Sequence, residues 1–271
     1  TWANVKVNGK SYGLFSLVEE VDGRFTTDRW PLDGDGNLYK EAWPTSTPPA
    51  LFGQKLATNK TTASHDALMG FASAMAVAPG EALGTTLGRW MDLPSLYRYM
   101  AVDDAIFNCD GITAFYAPAA TGPAWGNHNF YLYQEQNRDF FWLIPWDMDA
   151  TLSVCAAFVS VPRWNNVPTN CDQNFAVWGG VWAKPPGCDR FFQAVAQTIA
   201  QDPALYRLAV DELLAGPFSV QTLTDRIDHW SAFIRDAVVA DPTARGEAAW
   251  KLAVQELKAV VPRLRERLTP R

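Results

Sequence analysis

Asn129-Phe130-Tyr131-Leu132-Tyr133-Gln134 is followed by Glu135-Gln136, the turn residues Asn137-Arg138-Asp139, and then Phe140-Phe141-Trp142-Leu143-Ile144-Pro145-Trp146-Asp147-Met148-Asp149. Two apolar, aromatic-rich runs separated by turn formers predict a β-hairpin over 129–145. Chemistry sits at its open end. An Asn opens the first run, and two carboxylates two positions apart close the second. In extended backbone such carboxylates leave the same face, so Asp147 and Asp149 would converge on one cation. Mg²⁺ favours hard oxygen ligands and completes its shell with water and phosphate oxygens. The alternative is structural: Asp147 ends the strand, and Asp149 N-caps whatever begins at Ala150. The Asn129 carbonyl offers a neutral ligand, whereas Asn127 and His128 read as turn residues.

Upstream, Val5-Lys6-Val7 and Tyr12 to Val18 flank Asn8-Gly9, a hairpin signal because both turn residues tolerate positive φ. A short helix is expected near 23–30, then a third strand, Asn37-Leu38-Tyr39-Lys40, and a Pro- and Thr-rich loop over 44–61. Lys40, ending that strand, can set a compact positive charge over phosphates. Alternatively it is a snorkelling lysine on an edge strand. From 62 the period turns helical: 63–78, 81–91, and a helix through Phe107 opened by Asp92-Leu93-Pro94, an N-cap with Pro in the first turn. Asp110 follows that helix. A carboxylate there can orient an acceptor hydroxyl and take its proton late in phosphoryl transfer; the alternative is a turn residue. Asp103 and Asp104 read as helix surface or local hydrogen bonding. Residues 108–128 read as loop. Beyond 188 helices are expected at 189–201, 203–215, 219–239 and 243–268, broken by Pro203, Gly216-Pro217 and Asp241-Pro242. Strands followed by helices indicate α+β.

The bulk numbers agree with a globular protein. The chain has 271 residues, 48% hydrophobic and 19% charged, enough for one large domain or two lobes. A net charge of −6 argues against a general nucleic-acid binder, which needs a basic face. It leaves room for an anionic nucleotide, because a local Lys and a bound cation invert the field inside one cleft. No apolar run is long enough to span a bilayer. The chain opens on Thr1-Trp2 without Met, which predicts a segment cut from a longer protein. Cys109, Cys155, Cys171 and Cys188 form no CxxC pair, which excludes the usual structural zinc pattern. They read either as disulfide partners, with no basis for choosing a pairing, or as buried thiols.

The order of these blocks resembles the spore-coat-protein-H (CotH) kinase family. Val7 to Asp22 resembles its NGxYxGxYxLxExID strand pair, and Asn37-Leu38-Tyr39-Lys40 its LYK strand. Asn108-Cys109-Asp110 is similar to its NWD loop, with Cys109 in place of Trp. His128 to Tyr133 and Ile144 to Asp149 resemble its HNYYLY and IPWDxD blocks. The resemblance implies a reduced protein-kinase-like fold in one domain over 1–271. Residues 1–60 would be part of a small β-rich N-lobe, short of its upstream strands, and 61–271 a larger, mainly helical C-lobe. It implies ATP and Mg²⁺ (or Mn²⁺) as cofactors and a Ser/Thr acceptor on a secreted, cell-surface or spore-coat protein. Asp110 would be the base, Asn129 and Asp147, with Asp149, the metal ligands, Lys40 the phosphate contact, and Trp146 part of the nucleotide pocket. Two rivals stand beside it. Asp147-Met148-Asp149-Ala150-Thr151-Leu152 matches the DxDxT start of haloacid-dehalogenase-type phosphatases, a fold that requires βα repeats after the motif. The other is a non-catalytic surface module that keeps the fold alone.

Overall fold

The structure, a computed structural model, describes residues 1–117 and 125–268. In chain order its strands and α-helices begin with β1 (Trp2–Val7), β2 (Lys10–Ser16), α1 (Gly23–Arg29), β3 (Asn37–Lys40), α2 (Phe52–Lys55), α3 (Asp66–Val77), α4 (Leu83–Trp90) and α5 (Leu93–Ala105). They continue with β4 (Phe115–Ala117), β5 (Phe130–Gln134), β6 (Phe141–Pro145), β7 (Phe175–Ala176) and β8 (Trp182–Lys184). Four helices close the chain: α6 (Arg190–Gln201), α7 (Ala204–Ala215), α8 (Val220–Ala240) and α9 (Glu247–Glu266). All strand pairings are antiparallel, so the fold is α+β with small sheets. The parallel βα repeats of a haloacid-dehalogenase fold are not among the described residues.

Local chemistry accounts for most of these boundaries. Asn8 and Gly9 adopt positive φ (53° and 79°) and turn β1 onto β2. Asp22 caps α1 by accepting from the Arg24 and Phe25 N–H groups, each at 3.0 Å. Asp92 caps α5 by accepting from Ser95 N–H at 2.9 Å. The expected loop over 44–61 contains the short α2, and Leu56 bridges to Tyr39. The stretches expected to be irregular also supply β4, β7 and β8, which form a sheet in the order β4-β8-β7. Residues 118–124, part of the stretch expected to be loop, lie outside the described residues.

The chain divides into two compact units, one of Val21–Val210 and one of Thr1–Glu20 with Asp211–Arg271. In the smaller unit the β1–β2 hairpin is tied to the end of α8, where Asp241 accepts from Leu14 N–H at 2.8 Å. In the larger unit the core gathers around Trp43, which is 1% exposed. Its ring meets Phe191 at 4.5 Å, Phe130 at 5.2 Å and Phe192 at 5.6 Å, and its indole N–H donates to Asp189 at 3.3 Å. Asp189 also caps α6 by accepting from Phe191 N–H at 2.9 Å.

The cysteines are not four thiols. Cys171 and Cys188 are joined 17 residues apart, and Cys109 is also disulfide-bonded. The Cys155 side chain lies outside the described residues. Closing a loop of that length removes about 3 kcal/mol of conformational freedom from the unfolded chain. The bond therefore steadies a region in which β7 and β8 are too short to do so.

Candidate active site

The sheet in the order β3-β5-β6 brings one end of each strand to the same edge. Lys40 pairs with Tyr131, and Phe130 pairs with Pro145. The residues just past those pairs, Glu41, Asn129 and Trp146, are consequently neighbours. Glu41 N–H donates to the Phe130 carbonyl at 3.1 Å, and Trp146 N–H donates to the Asn129 carbonyl at 3.0 Å. Asp147 follows directly, its carboxylate exposed.

At this edge the backbone leaves the extended region. Glu41, Asn129 and Asp147 hold φ of 56°, 58° and 46°, in the left-handed region that non-glycine residues seldom occupy. Each such residue costs about 1–3 kcal/mol, and such costs persist where the surroundings over-determine the geometry, often at functional sites. For Asp147 this corrects the sequence expectation. The strand ends at Pro145, so the period-two rule that would align Asp147 with Asp149 does not apply. Asp149 is exposed in a turn that the Thr151 hydroxyl closes by donating to the Met148 carbonyl at 3.1 Å. It is not an N-cap either, since the next short helical turn starts at Leu152 with Thr151 in the cap position.

Asp110 joins the sheet edge through side chains. The Asn129 amide donates to Asp110 Oδ2 at 2.7 Å, and the Tyr116 hydroxyl donates to Asp110 Oδ1. Its loop is held from beneath by Asp103, which is 2% exposed. Asp103 accepts from Asn108 Nδ2 at 3.0 Å and from the Thr113 hydroxyl at 3.1 Å. The Asn108 carbonyl oxygen of the side chain in turn accepts from Asp110 N–H at 3.3 Å. Asp103 and Asp104 are thus buried and not helix surface, and Asp104 is paired with Arg163. Backbone bonds fasten this loop to the segment after Asp149: Cys109 N–H to the Ala150 carbonyl at 3.2 Å and Leu152 N–H to the Ile106 carbonyl at 2.6 Å.

Two residues that sequence reasoning passed over, Tyr116 and Glu41, belong to the cluster, together with His128, which was read as a turn residue. Tyr116 stacks on His128 at 4.7 Å, with an interplanar angle of 29°. Glu41 lies 3.8 Å from the His128 ring nitrogen and 3.8 Å from the Lys55 ammonium, and accepts from Asn129 N–H at 3.3 Å. His128 beside it, the Asn129 N–H and the Lys55 charge hold its carboxyl down at about 2, against the cost of partial burial. Burial, and next the Asp110 carboxylate, push the Tyr116 phenol well up, so it keeps its proton and donates. Asn127 is buried and donates to the Ile112 carbonyl at 2.9 Å, fifteen residues away, a long-range tie in place of the turn role expected of it. Glu41 lies next to Lys40 in sequence, and that adjacency was the one signal available for it.

Glu41 gives a pH dependence with a defined sign. Its folded value lies below the ordinary 4.5, so the stabilisation is complete above that value and is lost as pH falls toward about 2. Urea midpoints of the wild type should therefore decline across this window, and those of Glu41→Gln should decline less.

Lys40 is exposed at the end of β3, an edge strand, as the snorkelling reading has it. Its ammonium lies 5.9 Å from the Trp146 ring centre and 6.0 Å from that of Tyr131. Those two rings meet edge to face at 5.8 Å. A lysine beside aromatic faces at the rim of the same edge is suited to an anionic ligand with a flat ring.

The oxygen donors suit a hard cation. Asn129 spends its amide nitrogen on Asp110, and its side-chain carbonyl oxygen is of the neutral ligand type that such a cation accepts. Asp147 contributes a carboxylate from the adjoining strand end. Among the described residues no group of three or more His, Cys, Asp or Glu is placed to hold a metal. Mg²⁺ is commonly held by one or two protein oxygens together with substrate phosphates and water.

An α+β fold with a polar cluster at the end of a three-stranded sheet is the setting for the comparison with known families. The family model described as CotH kinase protein matches residues 1–271, the whole chain, and the chain belongs to that family. No curated protein matches it at a significant level.

Proposed function

We propose that the chain is an ATP- and divalent-metal-dependent protein kinase that phosphorylates Ser or Thr of an exported, surface or coat protein. The observation that carries this is the Asn129 amide bonded to Asp110, with Asp147 on the neighbouring strand end. A base, a neutral oxygen ligand and a carboxylate ligand are the parts phosphoryl transfer needs, because its catalysis is mainly positioning and charge stabilisation. Family membership supports the activity class. The Cys171–Cys188 bond supports an oxidising compartment, and no helix among the described residues is long and apolar enough to cross a membrane. We assign residues 1–60 to a kinase-like N-lobe and 61–271, with the β5–β6 hairpin, to a mainly helical C-lobe.

Asp110 receives the acceptor hydroxyl and aims its oxygen at the γ-phosphorus of ATP. As that oxygen–phosphorus bond forms, the bond to the β-phosphate oxygen breaks, ADP departs, and the hydroxyl proton passes late to Asp110. Asn129 and Asp147 would hold Mg²⁺, which neutralises the β- and γ-phosphate oxygens when bound. Lys40 places a positive charge near the phosphates, and the partly exposed Trp146 offers a face for the adenine. Asp149 is the weaker candidate ligand, since its turn separates it from the strand end.

Thermal denaturation with ATP and Mg²⁺ or Mn²⁺ tests the nucleotide site. At about a hundred times the dissociation constant, ATP should stabilise the protein by roughly 2.7 kcal/mol. The shift should require the metal and disappear in Asp147→Asn, which keeps shape and loses charge. Absence of any shift in the wild type would favour a surface module without catalysis.

A further inference from the structure

We propose that Tyr116 is the positioning residue for Asp110: its hydroxyl fixes one carboxylate oxygen while the Asn129 amide fixes the other. This rests on the kinase reading above and adds a residue to it. A carboxylate offers about four lone-pair sites. With one donor on each oxygen, Asp110 is held against rotation about its side-chain bonds, and a lone pair remains on each oxygen for an acceptor hydroxyl. A base held by a third group is the arrangement that turns a carboxylate into a directed one, since small misplacements cost large rate factors.

The phenol is itself held, and by contacts that do not use its hydroxyl. Tyr116 pairs with Ala183 across β4 and β8, and its N–H donates to the Gly126 carbonyl at 3.1 Å. One face of the ring lies on His128, and the Trp178 edge meets it at 5.8 Å and 84°. Glu41 lies 3.8 Å from the His128 Nδ1. The chain Glu41, His128, Tyr116, Asp110, Asn129 then returns to Glu41 through the Asn129 N–H, which makes a closed ring of contacts around the base. In such a ring the hydroxyl is the only group lost in Tyr116→Phe, and the stack and the strand pairing remain.

The test uses the full chain with Mg²⁺ and ATP, dephosphorylated casein as an acceptor probe, and ADP formation as the signal. Tyr116→Phe should lower kcat by about 10–100-fold with KM for ATP unchanged, and it should keep the metal-dependent thermal shift. A merely structural role would move the thermal shift and KM together with kcat. Proton NMR supplies a readout that needs no turnover. A low-field hydroxyl resonance in the wild type should be missing in Tyr116→Phe and displaced in Asp110→Asn. Wild-type kcat in Tyr116→Phe, or a hydroxyl resonance indifferent to Asp110→Asn, overturns the role of Tyr116 and leaves the kinase reading standing. A wild type with neither nucleotide shift nor ADP formation overturns both, so the two failures are distinguishable.

Discussion

Asp110→Asn should lower the rate of phosphoryl transfer by about 10²- to 10⁴-fold, the range for loss of a positioned acid–base group. The substitution keeps the shape of the side chain and an oxygen to accept from the Asn129 amide, with the new amide nitrogen donating to the Tyr116 hydroxyl, and removes the charge that receives the acceptor proton. Nucleotide binding should survive, since Lys40, Trp146 and Asp147 are untouched. The measurement is a single-turnover assay beside thermal denaturation with Mg²⁺ and ATP. A rate that falls while the nucleotide shift persists separates the chemical step from binding. An unchanged rate would remove Asp110 from the mechanism and with it the reason for assigning Asn129 and Asp147 their roles. Loss of both signals would point to a loop that no longer folds, which Asp103, Asn108 and Thr113 beneath it are arranged to prevent.

The second large effect is on stability. Trp43→Ala should destabilise the protein by about 3–5 kcal/mol, the usual cost of emptying an aromatic site in a packed core. The ring lies among Phe115, Phe130, Phe191 and Phe192, and its indole N–H satisfies Asp189, which is largely buried. Equilibrium unfolding in urea measures the change as a lower midpoint. Trp43→Phe should cost much less, because most of the cavity is refilled. The consequence extends to the site: Trp43 is three residues past Lys40, and Phe130 adjoins Asn129. The same ring therefore supports both strand ends that carry candidate residues. A midpoint within experimental error of the wild type in Trp43→Ala would mean that the core is organised elsewhere.

Elements governed by local chemistry were legible in the sequence. Asn8-Gly9, Asp92-Leu93-Pro94 and the breaks at Pro203 and Asp241-Pro242 each act within a few residues, and the hairpin, α5 and the last helices lie where they indicate. The register that brings Lys40, Asn129 and Asp147 to one edge was legible only through the resemblance, because pairing β3 with β5 joins residues about ninety positions apart. What stayed hidden has physical reasons. β4, β7 and β8 span two or three residues each, too few to show alternation, so Tyr116 looked like loop. Asp103 and Asp104 read as helix surface or local hydrogen bonding, and for Asp103 the second holds. They are buried because Asn108, Thr113 and Arg163 come back to meet them. Asp147 departs from the strand pattern at the residue where the pattern would have aligned it with Asp149, since its φ is 46°.

The left-handed backbone at Glu41, Asn129 and Asp147 also decides how a mutational scan of this edge reads. Alanine at Asn129 or Asp147 replaces a residue that tolerates the conformation by one that does not, so the measured loss sums chemistry and backbone cost, whereas Glu41 already carries that cost in the wild type. Glycine deletes the side chain and relieves the backbone, while exchanging Asn and Asp alters charge and keeps a residue that tolerates the conformation. A scan built on glycine and on Asn–Asp exchange therefore isolates what each oxygen does. One built on alanine would rank Asn129 and Asp147 above their chemical share and would undervalue Asp110, whose neighbour Asn129 absorbs part of any change made to it.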